Sequence, residues 1–278
     1  MTRLVTLACA VALAVNARPA FAESASGTTA SGLSYEVKGT GDPVVLLHAF
    51  NVDRRMWQPQ IAEYEKRFRV VRYDLRGHDR SAAPERRYAP YEDLREVLDT
   101  LKIDRATLVG LSAGSTIALN FALAYPDRVA RLVLASPGLG GYVVPPLPWT
   151  ASPFQAAAAG DPRTAAKLWA DTPIMALRRN AAEADWLRAV VADNWRLWTY
   201  RRDEEPLTPP AISRLEHVRI PVLLVTGDQD LPHIREIADL IATGVPGSCQ
   251  VVIPGAGHIV NIDDPAGFNA ALSAFLAR

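Results

Sequence analysis

Cysteine is scarce in this chain, with two in 278 residues. Cys9 lies in the apolar N-terminal stretch and Cys249 near the other end. Once the first segment is removed, no internal disulfide can form. Cys249 opens an apolar run and is expected in the core rather than as a reactive thiol. Net charge is missing too: 30 basic side chains face 30 acidic ones, which leaves no footprint for nucleic acid or an acidic membrane surface. No apolar run reaches the length of a bilayer span. No Gly-x-Gly-x-x-Gly follows a predicted strand, and no His, Cys and Asp fall at metal-ligand spacing. Nucleic-acid partners, membrane spans, metals and cofactors are therefore not expected.

What is present begins with a targeting signal. Arg3 supplies the positive end, residues 4–15 the apolar stretch, and Ala20-Phe21-Ala22 a cleavage site. Residues 1–22 read as a signal peptide cut after Ala22, and the mature chain as periplasmic or secreted. Cleavage leaves 28 basic against 30 acidic side chains, since Arg3 and Arg18 depart with no acid. Residues 23–32 (Glu-Ser-Ala-Ser-Gly-Thr-Thr-Ala-Ser-Gly) are small and polar and read as a disordered linker.

Beyond the linker, strand and helix signals alternate. Residues 33–38 alternate like an edge strand. Residues 43–47 form a continuous apolar run of the kind buried on both faces of a parallel sheet, and further strand signals stand at 69–73, 106–109, 129–135, 221–226 and 249–253. Helical patterns at 57–68, 91–102, 116–125, 233–242 and 265–276 separate them, which argues an α/β fold. One block breaks the rhythm. From 138 to 214 there is no strand signal, only turns and apolar helical stretches carrying Trp169, Trp186, Trp195 and Trp198. The expected division is a core at 33–137, a helical cap insertion at 138–214, and the rest of the core at 215–278. An apolar, Trp-rich cap suits a small apolar substrate.

The centre of the pattern is Gly110-Leu111-Ser112-Ala113-Gly114. A strand turning at once into a helix brings the residues two before and two after the turn into contact, where only hydrogen fits as a side chain. Ser112 is then strained and exposed at a helix N-terminus, with the Ala113 amide facing any oxyanion. Polar residues stand just after the other strands: His48, Asp74, Asp228, Asp230 and His258. That edge is where open α/β sheets bind ligands. A serine nucleophile needs a base, and the base an acid. The order Ser112, then Asp228 or Asp230, then His258 supplies both.

On these motifs the chain resembles the α/β-hydrolase superfamily over nearly its whole mature length. It looks most like the cap-bearing bacterial esterase, lactonase and C–C hydrolase branch. The matching segments are His48-Ala49-Phe50, Asp74-Leu75-Arg76-Gly77-His78-Asp79-Arg80-Ser81, Gly110 to Gly114, Gly227 to Asp230 and Gly255 to His258. The resemblance implies an α/β-hydrolase fold with a mostly parallel twisted sheet, flanking helices and a helical cap. It implies catalytic Ser112, Asp230 and His258, with Asp228 the runner-up for the acid. The oxyanion hole falls to the amides of Phe50 and Ala113, and the Phe50 side chain to the acyl pocket. His48 and His78 take structural roles, while His217 and His233 lie in linking segments, solvated or locally bonded. Asp74 and Arg76 brace the loop beneath the site by an ion pair or hydrogen bonds.

Three positions depart from the family pattern. Ala49 and Asp79 replace glycines, and Ser115 stands where a second glycine is common. If the first two sites require positive φ, alanine is strained there, while aspartate tolerates it better. The expected activity is hydrolysis of a small ester or lactone through an acyl-enzyme on Ser112. The same triad also fits C–C bond hydrolysis, or cofactor-free perhydrolysis and haloperoxidation. A ligand-binding member of the fold without turnover is the alternative of another class.

Overall fold

The computed structural model describes residues 24–278; the expected signal peptide and its cleavage site lie outside the described residues. Eight strands form one sheet: β1 (Ser24–Thr28), β2 (Ser34–Lys38), β3 (Asp42–Leu47), β4 (Phe68–Tyr73), β5 (Ala106–Leu111), β6 (Val129–Ala135), β7 (Val222–Gly227) and β8 (Cys249–Ile253). Their spatial order is β1-β2-β4-β3-β5-β6-β7-β8. The first two ladders are antiparallel and every later one is parallel. All strands from β3 onward therefore end at one edge.

The inner parallel strands feed both faces of the sheet. Val45 and Leu47, Leu132 and Leu134, and Val222 and Leu224 enter one core. Val44 and Leu46, Val133 and Ala135, and Leu223 and Val225 enter the other. This is the period-two geometry of a pleated strand, here apolar on both sides. Three helices cover the first face: α2 (Pro90–Thr100), α3 (Ala113–Ala124) and α7 (Pro232–Gly244). The second carries α1 (Gln58–Tyr64), α8 (Val260–Asp263) and α9 (Pro265–Leu276). Each fully buried Val, Leu or Phe here contributes about 1.5–3 kcal/mol. Between β6 and β7 lie α4 (Ala151–Ala158), α5 (Pro162–Ala170) and α6 (Ala184–Asp193), with short 3-10 turns between and after them. Their Trp169, Leu187, Val190 and Val191 join the second core.

Three expectations are corrected. Residues 24–28 of the expected linker form a strand, paired Ser24↔Lys38 through Thr28↔Ser34. Backbone bonds hold this exposed edge, and Gly27 leaves room for the Tyr35 ring, whose hydroxyl would stand 2.5 Å from an added Cβ. No hydrophobic signal marks such a strand. The helix expected at 57–68 is shorter, a 3-10 turn (Arg54–Trp57) followed by α1, because Phe68 already belongs to β4. Cys249 is half-buried rather than in the core, since β8 is an edge strand. Its sulfur accepts a hydrogen bond from the Arg278 guanidinium at 3.3 Å. Among the described residues no helix is long and apolar enough to cross a membrane.

Candidate active site

Ser112 ends β5 and caps α3 at φ 54°, ψ −113°, a strained conformation for a residue with a side chain. The two glycines make the turn possible. A Cβ on Gly110 would stand 2.3 Å from the Gly114 carbonyl, and one on Gly114 would stand 2.2 Å from that of Leu47. The same approach lays the end of β3, and the loop after it, against the first turn of α3. Ser115, the departure from the second glycine, is fully buried and ties this turn down. Its hydroxyl donates to the Ser112 carbonyl (2.6 Å) and accepts from the Gly138 amide (3.0 Å).

Asp230 and His258 follow β7 and β8 and meet. His258 Nδ1 lies 2.9 Å from Asp230 Oδ1 and 3.2 Å from Oδ2, with both residues buried. Burial works against the Asp230 charge. The His258 ring and the Leu231 amide outweigh it and hold the carboxyl below its ordinary range. With a carboxylate on Nδ1, the proton is assigned there and the lone pair to Nε2. Nε2 is buried without a partner, an available base. Asp228 does other work: its Oδ1 accepts from the Gly255 amide at 2.6 Å. A residue absent from the sequence reading also holds the histidine loop. Asp263 Oδ2 accepts from the Gly257 amide (2.6 Å), while Oδ1 accepts from the amides of Arg178, Arg179 and Asn180 (2.7–3.1 Å).

The loop after β3 is fixed by two buried histidines. His48 Nε2 accepts from the Leu75 amide (2.8 Å), with Nδ1 on the Ala49 carbonyl. His78 Nε2 accepts from the Asn51 amide (3.3 Å), with Nδ1 on the Arg76 carbonyl. Burial pushes the His48 pKa down to about 4 and that of His78 well below its usual value, so both stay neutral acceptors. Ala49 is not left-handed. The positive φ falls instead on Asn51 (60°) and Asp79 (38°), residue types that tolerate it. Asn51 also accepts from the Trp198 indole at 3.1 Å, a contact between the β3 loop and the insertion.

The remaining side chains named from the sequence fall as follows. The Phe50 ring lies under the insertion, 5.1 Å from Trp169 and 5.8 Å from Trp198, with the Arg202 guanidinium 4.7 Å from its centre. Asp74 and Arg76 sit in separate ion pairs. Asp74 faces Arg54 at 3.0 Å, and burial pushes its pKa up to about 7. Arg76 grips Asp93 through two bonds of 2.6 and 2.9 Å. His233 is buried on the first turn of α7 rather than solvated, and His217 is exposed beside Glu216. A cavity of about 380 Å³ opens beside Ala113, between α3, the turn at 140–141 and the segment at 202–211. Among the described residues no three His, Cys, Asp or Glu side chains cluster as metal ligands would.

Comparison with known proteins identifies the family and the fold. Residues 44–271 match the profile of the alpha/beta hydrolase family. The enol-lactonase of Burkholderia xenovorans LB400 is 25% identical and superposes with a TM-score of 0.75, over 91% of this chain and 100% of its own. A thermophilic esterase from Thermogutta terrifontis is 28% identical with a TM-score of 0.74, over 92% and 98%. In sequence, 3-oxoadipate enol-lactonase 2 of Acinetobacter baylyi is 27% identical, over 88% of this chain and 93% of its own.

Proposed function

Because the chain is a member of the alpha/beta hydrolase family, we propose that it is a serine hydrolase cleaving small esters or lactones through an acyl-enzyme on Ser112. The observation that carries this reading is the His258 imidazole, buried with Asp230 on one nitrogen and nothing on the other. It stands at the sheet edge where the strained serine is presented.

Ser112 Oγ attacks the carbonyl while His258 Nε2 takes its proton. Asp230 keeps the ring in the needed tautomer and stabilises the imidazolium. The Phe50 and Ala113 amides receive the oxyanion, and the Ala113 amide is one of the free donors at the start of α3. His258 then protonates the leaving oxygen and activates the water that releases the acid. The similarity to an enol-lactonase and an esterase supports carboxylic esters and lactones as the substrate class. Residues 1–22 are the export signal, and the mature protein begins at Glu23 outside the cytoplasm; N-terminal sequencing of protein from the cell envelope checks this.

Labelling the purified protein with a fluorophosphonate, followed by mass mapping, tests the chemistry. One adduct on Ser112, lost in His258→Ala, is expected. Ser112→Ala should lower hydrolysis of p-nitrophenyl acetate by at least about 10⁴-fold. A folded protein that takes no label and turns over no ester would be a ligand-binding member of the fold, and the proposal would fall.

A further inference from the structure

One end of the insertion is fastened beside His258. A Cβ on Gly257 would stand 3.0 Å from the Ala176 carbonyl and 3.2 Å from Arg178 Cγ, so the two segments run close together. Asn180 Nδ2 donates to the Ile262 carbonyl at 2.9 Å. The Arg179 guanidinium goes to the Pro254 carbonyl (2.7 Å) and to Asp264 (2.9 Å). Asp263 stands at the centre of this fastening and is 2% exposed. Its oxygens divide the work. Oδ1 accepts from the amides of Arg178, Arg179 and Asn180 in the insertion, and Oδ2 accepts from the amide of Gly257, the residue before His258. A carboxylate suits this place because both of its oxygens only accept.

The insertion is fastened at a second place. From Asn180 the chain passes through a 3-10 turn (Ala181–Glu183) and α6 to Asn194 and Trp198. Asn194 donates to Asp53 at 2.7 Å and accepts from the Asp79 amide at 2.8 Å, while the Trp198 indole donates to Asn51 at 3.1 Å. Ten helical residues span about 15 Å. A helix tied near one end to the residue before His258, and just past the other to the loop after β3, holds those two places at a set distance, as rigid elements do.

From this geometry we infer that Asp263 is a positioning residue for His258: through the Gly257 amide it passes the placement of the insertion on to the imidazole. It touches no reacting atom. The inference rests on the serine-hydrolase reading above, since that reading makes the place of His258 decide a rate.

Asp263→Asn tests it. The carboxamide fills the same volume. With its oxygen facing the three amides of the insertion, its N–H₂ meets the Gly257 N–H donor to donor, so the bond beside His258 is the one lost. Wild type and variant are compared at a temperature where thermal melting shows both folded. The low-field proton NMR signal of the imidazole N–H bonded to Asp230 should shift or broaden in the variant. With p-nitrophenyl acetate, kcat should fall roughly ten- to hundredfold, the range of a displacement of up to about 1 Å, with KM little changed. If Asp263→Asn folds at no temperature, Asp263→Glu is read in the same way, since it keeps two acceptor oxygens and moves them one methylene further. A folded variant that is less stable yet keeps the wild-type signal and kcat makes Asp263 a fastener of the insertion alone and overturns the inference. A loss carried by KM alone overturns it too. A wild-type protein that cleaves no ester and takes no fluorophosphonate overturns the hydrolase reading instead. The NMR comparison needs no turnover and still decides whether Asp263 sets the place of the ring.

Discussion

The two halves of the site are held by different means. On the serine side, backbone packs on backbone: Gly110 against Gly114, and Gly114 against Leu47. On the histidine side, carboxylates grip amides and a ring: Asp230 on His258, Asp228 on Gly255 and Asp263 on Gly257. The first arrangement has no room for an added atom. The second depends on which atoms accept hydrogen bonds and tolerates changes that conserve shape. Serine presentation is thus inseparable from the fold, whereas the histidine's state can be altered with the fold left intact.

Asp230→Asn gives the largest effect that separates the halves. The amide fills the same volume but offers an N–H₂ or the wrong tautomer to His258. Turnover of p-nitrophenyl acetate should fall about 10⁴-fold, with the urea midpoint little changed. Gly114→Ala should act on both quantities at once. Its Cβ meets carbonyl oxygens of Leu47 and His48 at 2.2 and 2.7 Å, and neither is a side chain that can swing away. We expect a loss of about 3 kcal/mol or more in urea unfolding together with loss of activity. A Gly114→Ala protein with wild-type stability would refute the distinction.

How legible each half is in the sequence follows from the same difference. Glycine spacing around Ser112 and apolar runs ending in Asp230 and His258 are local, so strands and site residues could be read in order. The devices that hold them are not local. Asp263 reaches Asn180, and Asn194 bonds Asp53 at 2.7 Å while accepting from the Asp79 amide at 2.8 Å. Nothing near Asn194 in the sequence announces partners more than a hundred residues away. Strand β1 leaves no sequence signal because its ladder uses only backbone, and the left-handed residue of the β3 loop falls two positions after Ala49, on Asn51. The ring contacts of Phe50 with Trp169 and Trp198 are equally non-local.

Acid sharpens the comparison, because the serine half leans on a histidine that must stay neutral. His48 is fully buried and its pKa falls from 6.5 to about 4. Between those values the unfolded chain binds the proton and the folded chain does not. Its contribution to stability is therefore complete above pH 6.5 and is lost as the pH falls toward 4. Asp74, pushed up to about 7, slopes the other way between about pH 4 and 7, so the wild-type curve alone is not diagnostic. His48→Gln keeps an acceptor for the Leu75 amide and does not titrate. The stability of wild type relative to this variant should drop by about 3 kcal/mol from pH 7 to pH 4. Urea titrations at both values read it, and a pH-independent difference would show that His48 is not held neutral.

The smallest expected effect lies where the insertion meets the serine half. Trp198 contributes its ring to Phe50 and its indole N–H to Asn51. Phenylalanine keeps most of the apolar contact and removes the donor, leaving Asn51 Oδ1 buried without a partner. One neutral hydrogen bond is worth about 1 kcal/mol, so Trp198→Phe should cost about that much in urea unfolding. The consequence for activity is more telling. Asn51 adjoins the Phe50 amide in the chain, so a looser Asn51 should lower kcat severalfold while leaving the yield of fluorophosphonate adduct at completion unchanged. An equal loss of stability with kcat intact would mean that the insertion covers the loop after β3 without setting its geometry, and that the His78 bond to the Asn51 amide suffices.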